Sequence, residues 1–367
     1  MSKVARVLRR PVSWPLMILA ATTLGLYVVA TFSLQPPFDL AGDAPGYLEA
    51  MRVLNGMHPP DGFIPNRILT TFGGVSTVAA LAWITGNYLA SWFFVNTLYF
   101  FGLAFVSYFL FRRITGSDIG SILGALFLVG NYDVLVFGLN YLMDISGWFW
   151  FMLSLLFLSI YMEGDDRRFL WGAALAAGVG TLFKEYAFFA FLPLGVYLLY
   201  RHWRSPREMI RAVVPCAVSL LPLVLVHIIV YLAYGYSYFD WYGMNTETFA
   251  FEGWAWNAGR SFLVVLGFML PVSLLGIFAF VHRARTSLDA RKILFVVSLA
   301  LPALAVFLWP IITERLVFLF VPLAALLAAF AVARYERHWP WFAFIWLLYV
   351  MVALKTDGLI LSVLYGM

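Results

Sequence analysis

A short run of residues that could carry out proton and phosphate chemistry interrupts an otherwise apolar chain. Asp43, Tyr47, His58 and Arg67 all fall within positions 35–75, among several Pro and Gly. A carboxylate in reach of a hydroxyl can take its proton while the oxygen attacks an electrophile. A guanidinium offers two parallel donors to a phosphate. Further along, isolated charges punctuate apolar sequence: Asp144 after Asn140 and Tyr141, the pair Lys184-Glu185, and the pair Glu314-Arg315. A charge in hydrocarbon costs about 3 kcal/mol on insertion scales, so such residues usually mark a substrate path. The plainer alternative is that long cations near span ends reach back to the interface, with each adjacent pair satisfied by a neighbouring helix.

These residues must be positioned by apolar helices. Hydrophobic residues make up 63% of the 367, charged residues 12%, and mean hydropathy is +0.87. Soluble domains have about 45–50% apolar and about 25% charged residues. The expected fold is therefore all-α, a polytopic transmembrane bundle in a single domain, 1–367. Eleven candidate spans follow: 14–34, 88–111, 118–137, 145–162, 169–187, 188–201, 209–232, 260–281, 292–311, 316–333 and 339–354. The first reads as a retained signal anchor rather than a cleaved signal peptide, since no small-residue cleavage site is clear. Cys216 is the only cysteine, which excludes a disulfide framework and a Cys-based metal cluster. The net charge of +5 reflects loop cations that set topology, not nucleic-acid binding. No phosphate-binding glycine loop, zinc-protease motif or nucleophile elbow is present, and no soluble portion is long enough to hold a nucleotide sugar.

The segment 69–86 is apolar but rich in Thr, Ser and Gly, and charge decides its placement. If it does not cross, 18 of the 24 Lys and Arg share the side of the N-terminus; if it crosses, 8 do. The positive-inside rule thus favours a cytoplasmic N-terminus and a re-entrant or interfacial helix at 69–86. Two external loops result, 35–87 and 233–259, the second crowded with Tyr and Trp. That crowding suits either an interfacial aromatic belt or a stacking surface for a sugar. Six cations are left on the far side: Arg52, Arg67, Lys184, Arg260, Arg315 and Lys355. Arg67, Lys184 and Arg315 gather there with Asp43 and Asp144.

This order of elements resembles the GT-C superfamily of integral-membrane glycosyltransferases, related to the dolichyl-phosphate-mannose and aminoarabinose transferase-like families. The resemblance rests on Asp43 and Tyr47 after the first span, then Ala50, Gly56 and Pro60, then Arg67-Ile68-Leu69 before the interfacial helix. It continues with Asp144, with Gly178, Leu182, Lys184, Glu185 and Pro193, and with Glu314, Arg315 and Pro322. Where some branches place Glu after the first-loop Asp, this chain has Ala44. The resemblance implies an inverting transferase in the plasma (inner) membrane that moves a monosaccharide from a polyprenyl-phosphate carrier to a glycan, lipid or protein acceptor. Asp43 would be the general base. Arg315, Lys184 and Arg67 would bind the donor phosphate, and Tyr47, Asp144, Glu185, Glu314 and His58 would contact substrate. Some relatives use a divalent cation, Mg or Mn; Asp43, Glu49, His58 and Asp144 are the residues that could hold one, though no ligand spacing demands it. The competing readings are a lipid-linked glycan carrier or flippase without chemistry, and a catalytically silent subunit of the same fold.

Overall fold

The computed structural model describes residues 14–33, 43–248, 254–308 and 313–364, all of them in helices and their connections. The cations Lys3 to Arg10, residue Gly42 and part of the loop 233–259 lie outside the described residues.

The first long helix, α1 (Trp14–Ser33), precedes a short α2 (Ala44–Leu54) and α3 (Asn66–Thr85). Tight turns then join α3 to α4 (Tyr88–Thr115) and α4 to α5 (Asp118–Val129), where Asn87 and Ser117 accept the first free backbone N–H groups. After α5 comes one π-helical turn, Asp133–Gly138, then α6 (Asp144–Gly164) and α7 (Arg167–Phe183). A 3₁₀ segment, Glu185–Ala190, leads into α8 (Phe191–His202). Next are α9 (Pro206–Ser219), α10 (Leu221–Tyr234), α11 (Tyr238–Thr248), α12 (Trp254–Leu266) and α13 (Leu270–Thr286). The chain closes with α14 (Ala290–Ser298), α15 (Ala300–Ala305), α16 (Glu314–Val317), α17 (Val321–Arg334) and α18 (Trp339–Leu364).

Helices α4, α5, α6, α7, α13 and α17 form the densest part of the bundle. Backbones approach closely where side chains are small, the usual way helices associate without a hydrophobic driving force. α17 presents Ala324, Ala325, Ala328 and Ala329, all buried. At Gly276 on α13 a Cβ would sit 1.9 Å from the Leu327 carbonyl oxygen, so no other residue fits that crossing.

Among the described residues, seven helices can cross a membrane by length and composition, or eight if the pair Ala255–Leu266 and Leu270–Thr286, bent by 77°, counts as one span. The eleven-span segmentation needs revision in three places, and the boundary expected between 187 and 188 falls at Lys184 instead. Positions 118–137 hold a 12-residue helix and then an irregular stretch. Lys184 adopts an extended backbone (φ −163°, ψ 137°), which ends α7 and separates it from the half-length α8. The segment 260–281 breaks ahead of Pro271, and 292–311 is divided into α14 and α15, with Pro302 in the second. Apolar composition made these segments look continuous; charge, Pro and Gly break them.

α3 is long and apolar enough to be a span, yet both its ends are tied to one end of the bundle. Arg67 in its first turn bonds Asp43. At its other end the Thr85 hydroxyl meets that of Ser91 at 2.7 Å. The next residue, Trp92, donates to the Leu142 carbonyl just before Asp144.

Candidate functional site

Asp43 occupies the N-cap position of α2, where an Asp carboxylate ordinarily accepts a backbone N–H of the first turn. Here it makes no such bond and reaches two arginines instead. Arg67 Nη2 donates to its Oδ1 at 2.5 Å and Arg315 Nη1 to its Oδ2 at 3.0 Å. Pro45 starts the helix without needing a donor partner, and α2 packs on α3, which brings Arg67 back to Asp43. Arg315 comes from the single turn α16 that enters α17, some 270 residues away in sequence.

The pairing extends inward. Arg315 Nη1 lies 3.6 Å from Oδ2 of Asp144, which is wholly buried at the start of α6. The Arg67 guanidinium lies 4.8 Å from the centroid of the Tyr47 ring, and the Tyr47 hydroxyl accepts from Lys184 Nζ at 3.3 Å. Lys184 is 4% exposed and pairs with Glu185 at 3.6 Å. It fits because Gly147 of α6 faces it: a Cβ there would meet the Lys184 Cβ at 2.5 Å. Burial alone would raise the Asp43 carboxyl, but the charges of Arg67, Arg315 and Lys184 outweigh that and hold it at about 2.

Most of the residues singled out from sequence thus meet. Asp43, Tyr47, Arg67, Asp144, Lys184, Glu185 and Arg315 form one connected cluster. Glu314 sits beside it, paired with Arg260 at 3.2 Å and accepting from the Ser261 hydroxyl at 3.1 Å. His58 does not join: it is exposed, and its Nδ1 lies 3.0 Å from the Pro59 carbonyl oxygen. The possible ion ligands do not converge either. Among the described residues no three His, Cys, Asp or Glu side chains come together in a metal-binding arrangement.

Asp133, in the π-turn, was not anticipated. It is wholly buried, with Glu314, Asp144 and Arg315 as its charged neighbours. The signal was present, a carboxylate two residues after Asn131 inside an apolar stretch, but reading 118–137 as a continuous span concealed it.

A cavity of about 580 Å³ lies at the opposite end of the bundle, lined by Trp14, Asp118, Arg283 and Arg334 among others, and is remote from this chemistry. More relevant is an apolar groove of about 490 Å³ between α10 and α11, lined by Leu223, His227, Ile228, Tyr231, Tyr238 and Phe239. Tyr238 links it to the cluster, because it also packs against the buried group that contains Tyr47 and has Glu185 and Lys184 as charged neighbours.

Fold and site together define an all-helical protein with the long apolar helices of a membrane protein and one buried, charged cluster joining distant parts of the chain. No family model, curated protein or solved structure matches it.

Proposed function

We propose that this protein is an inverting, GT-C-like glycosyltransferase that moves a monosaccharide from a polyprenyl-phosphate carrier to an acceptor hydroxyl. The observation that carries the reading is Asp43 held between Arg67 and Arg315, a base and an anion site in one place. In the reaction the acceptor oxygen attacks the anomeric carbon opposite the phosphate. The bond from that carbon to the phosphate oxygen breaks, and the acceptor proton passes to Asp43. The leaving lipid phosphate gains one negative charge, and Arg67, Arg315 and Lys184 stabilise that charge as it develops.

A carboxyl held at about 2 is a weak base. The donor resolves this. Its phosphate competes with Asp43 for the same two guanidiniums, and as they turn to the phosphate the carboxylate is released and becomes more basic. The groove ending at Tyr238 suits the isoprenoid tail, since it is apolar and opens on helices with exposed aliphatic faces.

The topology proposed with this reading places the N-terminus in the cytoplasm and the cluster on the periplasmic or extracellular face of the plasma (inner) membrane. The common end of both α3 termini and the arginine-rich opposite end support it. Purified protein in nanodiscs, given labelled polyprenyl-phosphate monosaccharides and a lipid and glycan extract, should transfer or release sugar. Tight donor binding with no turnover under any condition would indicate a carrier or a silent subunit instead.

A further inference from the structure

The break between α5 and α6 carries a second piece of chemistry. Both carboxylate oxygens of Asp133, and both of Asp144, are buried without a hydrogen-bond donor among the described residues. Arg315 approaches Asp144 only at ion-pair distance, 3.6 Å. The surrounding backbone is firmly placed. Asn131 Oδ1 accepts the Asp133 N–H at 2.9 Å, Asn131 Nδ2 donates to the Val265 carbonyl at 2.9 Å, and Tyr349 donates to that carbonyl at 2.7 Å. The same π-turn sets Phe137 under the Arg315 guanidinium, 5.8 Å from its centroid. Trp148, one turn into α6, stacks on Phe318 at 4.2 Å, and its Nε1 also has no acceptor among the described residues.

Buried polar atoms nearly always have partners, and those without one call for water, an ion or a ligand. Four buried carboxyl oxygens require partners. A metal is poorly served, since among the described residues no third ligand joins the two carboxylates. Sugar hydroxyls serve well: each donates one hydrogen bond to a carboxylate and can accept one, as from Trp148 Nε1. A sugar that itself carried a carboxylate would add a negative charge beside Asp144 and Glu314 and be disfavoured.

We propose that Asp133 and Asp144 form a hydroxyl-recognition subsite for the transferred sugar, selecting a neutral sugar over a uronic acid. The inference rests on the glycosyltransferase reading and names its substrate class. Arg315 covers Asp144 from the exposed side, so the movement that captures the phosphate also opens the subsite.

The test measures binding of three probes to the full-length protein in nanodiscs: a polyprenyl monophosphate, its neutral hexose ester and its uronate ester. Wild type should bind the hexose ester about tenfold more tightly than the bare monophosphate, the scale of one hydrogen bond to a charged group, and should gain nothing from the uronate. Asp133→Asn should lose the hexose advantage while binding the monophosphate as wild type does, which also reports that it has folded. Equal binding of hexose and uronate esters by wild type overturns the subsite, and that comparison needs no variant. So does an Asp133→Asn protein that keeps the advantage. Failure of wild type to bind the bare monophosphate overturns the transferase reading, and the subsite with it.

Discussion

The two ends of the bundle are both rich in ion pairs, yet they are built differently. At one end Arg113 pairs with Glu163, Arg167 with Glu208 and Arg201 with Asp165, on largely exposed side chains contributed by helix ends and short connections. Arg283 and Lys292 there bond the last carbonyls of α4, at Thr115 and Arg113. These groups stay small and at the surface: Glu208 also takes Arg211, and Asp165 also takes Arg291, but neither carboxylate is buried. At the other end Asp43, Arg67, Arg315, Asp144, Lys184, Glu185 and Tyr47 form a chain of contacts, and Asp144 and Lys184 are buried. Exposed pairs contribute about 0–1 kcal/mol, whereas a buried charge left alone is costly. Arginines at the first end need only the topology rule to explain them; those at the second need a function.

The contrast can be broken most sharply at Asp43. Asp43→Asn should lower sugar transfer by about 10²–10⁴, the usual contribution of a positioned base, measured with labelled donor. Arg315→Ala should come next, because it strips Asp144 of the guanidinium 3.6 Å away. A loss of about 3 kcal/mol in stability is expected for that uncompensated buried charge, read by thermal unfolding in detergent, together with weaker lipid-phosphate binding. Arg315→Lys should restore the stability but not the affinity, since an ammonium cannot match a phosphate with two parallel bonds.

Gly147→Ala should act at intermediate size, by forcing Lys184 aside. Overpacking of this kind costs about 1–3 kcal/mol, and here the visible effect should be a lower donor affinity than in wild type. The pH dependence is comparable. The Asp43 carboxyl is at about 2 in the fold against an ordinary 3.8, so its pairing stabilises the fold above about pH 4 and is lost as pH falls through 2. The contribution amounts to about 2 kcal/mol, and the difference in unfolding temperature between pH 5 and pH 3 should shrink in Asp43→Asn. Smallest of all, Arg201→Ala at the opposite end should change stability by less than about 1 kcal/mol and leave transfer unaltered.

Much of this site was legible because charges are so few. In a chain this apolar, Asp43, Lys184 and Arg315 stand out individually, and the parity of the intervening spans put them at one end. Sequence could not tell that Asp43 would forgo its capping role for two arginines, since that depends on α2 folding back on α3. His58 was drawn in by proximity in sequence, but the loop after α2 turns it to solvent. Asp133 and the break ahead of Pro271 were missed for one reason: average hydropathy over a window is insensitive to a single residue that ends a helix.

In the proposed mechanism Asp43 and the donor phosphate compete for the same two guanidiniums. The direct measurement is the affinity of a polyprenyl monophosphate for wild type and for Asp43→Asn, side by side in nanodiscs. Removing the carboxylate charge leaves Arg67 and Arg315 free for the ligand, so the variant should bind several-fold more tightly even as it loses turnover. Equal or weaker binding by Asp43→Asn would contradict the account and place the phosphate elsewhere.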